Sequence, residues 1–440
     1  MRKQNQLENR HIRFYGMLVV LLGLCLVRYA LQIDIPLIVL LIMAVLIAIF
    51  CNRDEIMALC VCMIPLITSM QHNYLLLFCI LLYAIRYGKT VDIDLTIVPV
   101  LLMILWELFH GFRGVFSPVD FVCMFLPQIL ISLTMFSGKY RFDYDVIVRS
   151  YALCVFGMCV SLLGRVFYAS NFDFTTVMMN LQRLGIDSKT MTNLEIIGGQ
   201  QNPNTLGIQC VLAVTGLIQI RNADRQHRID LATMIGLLVF GALTASRTYI
   251  VCLIAMLGLF VLSKEGSVTD KFKMIGWGIL LVAVMILLLY LIFPDVLIYY
   301  IRRFFTEDIT TGRDRLAIVY HEFIVSNPPI LLFGIGLQGY KDQLINVFRV
   351  AENVPHNAVQ ELIIAWGIPG LMMFSVWIVA MIITSKRQCK HQGLINYIPL
   401  LIILIKSIAG QMLNSSYTML AFLYAYLSLC ADLTPRKLNK

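Results

Sequence analysis

The sequence predicts an all-α polytopic integral membrane protein with about fourteen transmembrane helices. Three observations carry that expectation. Of 440 residues, 59% are hydrophobic and 14% charged, with a mean hydropathy of +0.80, whereas soluble domains hold about 25% charged residues. Apolar runs close to the roughly 20 residues a helix needs to cross a bilayer recur along the whole chain. Lysine and arginine gather in alternate loops, as the positive-inside rule requires.

The first run, about residues 14–31, follows a basic head (Arg2, Lys3, Arg10, Arg13) and is succeeded at once by a second at 34–51. It lacks a small-residue cleavage site and so reads as a first transmembrane helix, with no cleavable signal. Further runs at about 55–70, 72–88, 93–110, 118–136 and 145–167 alternate with basic loops around Arg53, Arg86, Lys89, Lys139 and Arg141. After a long polar stretch come 203–220, 230–245, 247–263 and 274–293, and after a second one 357–384, 394–411 and 413–431. With the N-terminus inside, the cytoplasmic segments hold 21 of the 35 Lys and Arg residues, and Arg149 stands within a span. Both termini are then cytoplasmic, and the long loops 168–202 and 294–356 are external. The net charge of +9 follows mostly from this asymmetry and calls for no nucleic acid. The twelve cysteines fall in spans or at their cytoplasmic ends, where they read as small packing residues. With no repeat, linker or soluble module, residues 1–440 form a single membrane domain.

Function is expected where loops are long, because structureless loops beyond about 12 to 15 residues are uncommon. In 294–356, Leu316, Val319, Phe323 and, at the margin, Tyr320 share one face at helical spacing. This predicts a short helix over 315–325 lying on the outer surface. Ser326-Asn327-Pro328-Pro329 ends it, and Leu331–Gly336 reads as a partly buried turn dipping toward the bilayer. The loop balances six basic against seven acidic side chains, so any anion grip rests on particular residues.

Gly334-x-Gly336-x-x-Gly339 matches the dinucleotide fingerprint, yet that motif works only in a soluble βαβ unit, so a close-packed glycine turn is the better reading. Asp92-Ile93-Asp94 resembles a metal-binding aspartate pair, but capping of a helix start explains it more simply. Arg247 stands alone between two apolar spans on the predicted outer side, against the topological bias. A snorkelling arginine is the plain alternative; Arg313 and Arg315 on the same side favour a shared role. Arginine forks bind phosphate oxygens bidentately and stay charged at any working pH. His356, where the long loop re-enters the membrane between Pro355 and Asn357, can take a proton near neutral pH. Asn202 and Asn204, in Gly198-Gly199-Gln200-Gln201-Asn202-Pro203-Asn204, are ready helix caps whose amides also suit sugar hydroxyls. Gln411, Asn414, Ser415 and Ser416 could line the same cavity or satisfy one another between helices.

Together these pieces resemble the bacterial O-antigen ligase and O-antigen polymerase superfamily, including the Wzy-type polymerases. They are Gln201-Asn202-Pro203-Asn204 opening a span, Ser246-Arg247 between spans, Gly312-Arg313 with its helix and Gly-x-Gly turn, and Pro355-His356-Asn357 followed by Trp366-Gly367-Ile368-Pro369-Gly370-Leu371. The likeness covers about residues 198–375. It implies a transferase without metal or other cofactor, acting on a polyprenyl-diphosphate-linked glycan at the outer face of the bacterial cytoplasmic membrane. Arg247 and Arg313, or Arg315 in place of Arg313, would hold the diphosphate, and His356 would activate the acceptor hydroxyl. The partners implied are lipid-linked donor and acceptor, membrane lipid, a chain-length regulator and a flippase. One departure is Ala365-Trp366 before Gly367, where relatives often carry an acid. The favoured activity is polymerisation, because the loops offer no protein-acceptor module. A ligase transferring the glycan to lipid A core or protein shares the chemistry, and a lipid-linked oligosaccharide flippase is the alternative of another class.

Overall fold

The computed structural model describes, with small gaps, residues 14–66, 82–87, 97–112, 118–132, 142–185, 202–305, 312–351, 355–408 and 410–434. Among them there is helix and no strand. Asp92–Asp94, Gly198–Gln201, Gln411, Asn414 and Ser415 lie outside the described residues.

The N-terminal helices are α1 (Leu37–Phe50), α2 (Arg53–Leu66) and α3 (Ile97–Phe112). Then come α4 (Tyr144–Ala169), the short α5 (Phe174–Asn180), α6 (Pro203–Asn222), α7 (Arg228–Leu243), α8 (Arg247–Ser263) and α9 (Val268–Ile292). Among the described residues four helices are long and apolar enough to cross a membrane: Tyr144–Tyr168, Pro203–Asn222, Thr269–Ile292 and Ala358–Gln388. Shorter apolar helices, among them α3 and α8, stand with them.

Helix α6 is the centre of the bundle. Asn202 caps it by accepting from the Asn204 N–H at 2.8 Å, and Pro203 occupies the first turn, where its missing N–H costs nothing. From Leu206 to Leu217 every side chain is buried, the pattern of a helix surrounded by others. Helix α4 runs antiparallel to it: the Tyr144 hydroxyl donates to Gln219 Oε1 at 2.6 Å, and further along both helices the Cys159 and Cys210 sulfurs meet at 3.8 Å. At the same end as Tyr144, Arg149 pairs with Asp230 at 3.2 Å and Arg225 with Asp145 at 3.6 Å. Helix α9 behaves oppositely to α6, with none of its apolar window buried. Its side chains, such as Trp277 and Leu287, are exposed, as a helix turned toward lipid requires. A cleft of about 1100 Å³, lined by Leu257, Gly258, Trp277 and Gly278, separates it from the bundle.

The stretch read from sequence as the long external loop is mostly helical. It contains α10 (Pro294–Phe305), α11 (Arg313–Ser326), α12 (Pro328–Phe333) and α13 (Gly336–Asn346). The expected helix over 315–325 is α11, but its inner face differs: Tyr320 and Ile324 are buried, whereas Val319 is 37% exposed. The helix docks on the protein rather than lying flat on a surface. Leu331–Phe333 belong to α12, so the chain turns only at Gly334. The chain closes with α14 (Ala358–Gln388), α15 (Leu394–Ile408) and α16 (Ser416–Cys430).

Two glycines fix how α12 meets α14. Gly334 (φ 74°, ψ −172°) follows α12, and Gly367 (φ 69°, ψ −172°) breaks the α14 geometry ahead of Pro369. Each occupies a backbone region essentially open to glycine alone. A Cβ on Gly334 would stand 2.4 Å from the Ala365 carbonyl oxygen, and one on Gly367 2.5 Å from that of Leu332. Between these contacts the Ile335 N–H donates to the Ile364 carbonyl at 2.9 Å. The turn expected at Gly334-x-Gly336 is thus the point where two backbones cross.

Candidate functional site

His356 is held between buried Pro355 and Asn357, whose side chain caps α14 by accepting from the Val359 N–H at 2.9 Å. One turn further, Gln360 Nε2 donates to the Ala317 carbonyl of α11 at 2.7 Å. This bond ties the first turn of α14 to the first turns of α11. Arg313 is the first residue of α11, after Gly312 in a left-handed conformation (φ 78°). The structure therefore brings Arg313 to His356. Burial, then the Arg313 charge, then that of Lys406 hold the His356 imidazole at about 4, below its ordinary 6.5. A desolvated imidazole beside two cations stays neutral at pH 7.

Lys406, Glu361 and Tyr340 complete this cluster, and sequence reasoning passed over all three. Lys406, near the end of α15, donates to Thr418 Oγ1 of α16 at 2.7 Å and interacts electrostatically with Glu361 and Arg313. Glu361 is fully buried. Its Oε1 accepts from the Tyr340 hydroxyl at 2.6 Å, and its Oε2 accepts from the Met412 and Leu413 N–H groups at 2.6 and 3.0 Å. Burial and the Glu361 carboxylate keep the Tyr340 phenol well above its usual range, so it remains a donor. One carboxylate thus joins α13, α14 and the segment leading into α16. A charged residue inside an apolar run was the available signal for Lys406 and Glu361, since such residues in membrane helices seldom lack a role.

The other expected residues are placed as follows. Arg247 is the first residue of α8, half-buried, behind its cap Ser246, whose hydroxyl accepts from the Tyr249 N–H at 3.3 Å. Helix α8 runs along α15, and Cys252 and Lys406 interact electrostatically; Arg247 is five residues, about 7.5 Å of helix rise, from that level. Arg315 is exposed, in contrast to half-buried Arg313. Asn202 serves as a helix cap. Asn204 Oδ1 accepts from Arg183 at 3.0 Å and from the Ser246 hydroxyl at 2.8 Å. Arg183, which also donates to the Thr244 carbonyl at 2.9 Å, is a further cation that sequence reasoning missed.

A buried acid does approach Trp366 from another helix. Glu107 of α3, 1% exposed, accepts from the Trp366 indole N–H at 2.7 Å and from the Leu337 N–H at 3.2 Å. It stands under the crossing of Gly334 and Gly367, on the path from α12 to α13.

A bundle of apolar helices, with arginine, lysine and a neutral histidine gathered at one end, fits a multi-pass membrane protein. Residues 232–375, a third of the chain, match the model of the O-antigen ligase family, which supports the O-antigen ligase/polymerase superfamily. The matched region runs from α7 to α14 and includes Arg247, Arg313, Arg315, His356 and Glu361, but not Asn202, Asn204 or Lys406. The match fits membrane glycan processing of the ligase/polymerase type. No curated protein matches the chain.

Proposed function

We propose that the protein is a polysaccharide polymerase of the bacterial cytoplasmic membrane. It transfers a polyprenyl-diphosphate-linked glycan onto a hydroxyl of another lipid-linked repeat unit at the outer face. The proposal includes a fourteen-span topology with both termini cytoplasmic, as the Lys and Arg distribution requires. Arg313 and Arg247 grip the donor diphosphate, with Lys406 as an additional charge. His356 receives the proton of the acceptor hydroxyl as that oxygen attacks the anomeric carbon. The bond between this carbon and the diphosphate oxygen breaks, its electron pair leaves with the diphosphate, and a single displacement inverts the anomeric centre. The observation that supports the reading is the hydrogen bond from Gln360 to the Ala317 carbonyl at 2.7 Å, which ties the first turn of α14, after His356, to α11, with His356 electrostatically coupled to Arg313 and Lys406.

In this site the cations make His356 a weak base until the donor arrives. The diphosphate offsets their charge, which raises the imidazole pKa where it is needed. Asn202 and Asn204 are assigned to glycan contacts at the edge of the site.

Purified protein supplied with a lipid-linked repeat unit in detergent should form polymer, a product that transport cannot give where there are no two sides. Arg247→Ala, Arg313→Ala and His356→Ala should each abolish chain extension, and Arg315→Ala should leave most of it. Long polymer persisting in the first three variants defeats the catalytic assignment. The family description favours a second reading, transfer to lipid A core or protein. That reading prevails if glycan passes to such an acceptor and never to a lipid-linked unit.

A further inference from the structure

Arg165 of α4 is 2% exposed, and its Nε and Nη2 have no hydrogen-bond partner among the described residues. Burying a guanidinium with nothing opposite it is strongly unfavourable, and buried polar groups without partners are few in native proteins. A side chain kept at that cost has a ligand to meet.

Two helix registers give its depth. Cys159 of α4 touches Cys210 of antiparallel α6; six residues further along α4, about 9 Å of rise, is Arg165, and the same rise back along α6 reaches Asn204. On the other side Phe156 packs against Phe240 of α7, ring centroids 5.5 Å apart. The nine residues from Phe156 to Arg165, about 13.5 Å of rise, carry past Leu243 to the Thr244–Arg247 turn. Both registers set Arg165 at the depth of Asn204, Ser246 and Arg247, where Arg183 also bonds to Asn204 and Thr244. The end of the bundle that holds His356 therefore carries a second cationic group, borne on α4 and the segment after α5.

We infer that Arg165 is the anion site for the diphosphate of the acceptor lipid. This rests on the polymerase reading, in which both substrates carry a diphosphate. Arg313, Arg247 and Lys406 serve the donor, whose diphosphate is the leaving group. The acceptor diphosphate takes no part in bond breaking and needs only to be held while the acceptor hydroxyl reaches the donor's anomeric carbon. A planar guanidinium fork with free N–H donors suits that holding task. Arg165 is thus a positioning residue that leaves the reacting atoms untouched.

The test uses the full-length protein in detergent and farnesyl diphosphate, a short polyprenyl diphosphate, as the probe. Wild type should bind two probe molecules per chain, and Arg165→Met and Arg313→Ala should each bind one. Arg165→Met should melt at the same or a higher temperature, because it replaces a partnerless charge with an apolar side chain of similar length. In extension assays it should raise the acceptor KM at least tenfold and leave the donor KM unchanged. Arg165→Lys, which keeps the charge without the fork, should retain two sites with the second weakened. A single site in wild type, two undiminished sites in Arg165→Met, or equal displacement by phosphatidylglycerol overturns the inference. Should the sites disappear as described while no polymer forms from lipid-linked units, the anion site stands and the polymerase reading fails. Polymer formation with an undisturbed acceptor KM in Arg165→Met has the opposite meaning.

Discussion

Lys406→Met probes the coupling between the cations and His356. Three causes bring the imidazole from 6.5 to about 4: burial first, Arg313 second and Lys406 third. The smallest of three contributions to a fall of about 2.5 is at most about 0.8. The acid limb of the variant should therefore rise by between a few tenths and about 0.8. The pH dependence of kcat/KM for chain extension reports the free enzyme. In wild type, the unprotonated base persists through the neutral range, and activity declines only as pH falls through about 4. Folding follows the same sign: below 6.5 the unfolded chain takes up a proton that the folded protein refuses until about 4, so stability declines as pH falls across that interval. Arg313→Met, which removes the larger cation, should move the limb further than Lys406→Met. A wild-type limb near 6.5, or a downward movement in Lys406→Met, refutes the arrangement.

Two further predictions concern the frame of the site. Gly334→Ala adds a Cβ 2.4 Å from the Ala365 carbonyl oxygen at φ 74°; the backbone penalty alone is roughly 1–3 kcal/mol, the clash adds to it, and the melting temperature in detergent should fall markedly. An unchanged melting temperature would show that α12 and α14 do not meet in this way. Glu107→Gln gives one of the two donors now facing the carboxylate, Trp366 Nε1–H or Leu337 N–H, an amide NH2 instead of an oxygen. The mismatch should cost about 1–3 kcal/mol in thermal unfolding; a variant as stable as wild type removes Glu107 from that role.

Most of the helical architecture was legible because it follows from one-dimensional signals. Span length and hydropathy gave the helices, and Asn202-Pro203, Ser246 and Asn357 marked starts that the structure confirms as caps. The loop helices α10 and α13 escaped notice, although α10 carries a clear amphipathic pattern in its own sequence. Of the α11 face read from sequence, Leu316 and Phe323 pack against the core and Tyr320 is buried, whereas Val319 is exposed and Ile324 was not expected inside. Within the proposed site, the linear pattern did not distinguish Arg313 from Arg315, whereas the folded α11 leaves Arg313 half-buried and Arg315 exposed. Glu107 is the clearest failure of linear reasoning. This buried carboxylate lies 259 positions away from its Trp366 partner, and only the folding of α3 against α14 brings them together.

The arrangement of charge gives the proposed site an order of events. Glu361 is the buried carboxylate among these groups, and both its oxygens are already engaged by Tyr340, Met412 and Leu413. It anchors Lys406 electrostatically without approaching His356 as a hydrogen-bond acceptor. In the absence of donor, the imidazole therefore faces more positive than negative charge and is a poor base toward any hydroxyl, water included. Binding of a diphosphate reverses that balance and strengthens the base. By linkage the effect is reciprocal: whatever raises the affinity of His356 for a proton when donor is bound must raise, by the same factor, the affinity of the protonated site for donor. Basicity is then conditional on occupancy, so an acceptor hydroxyl is activated beside a loaded donor, and an empty site has little power to activate solvent.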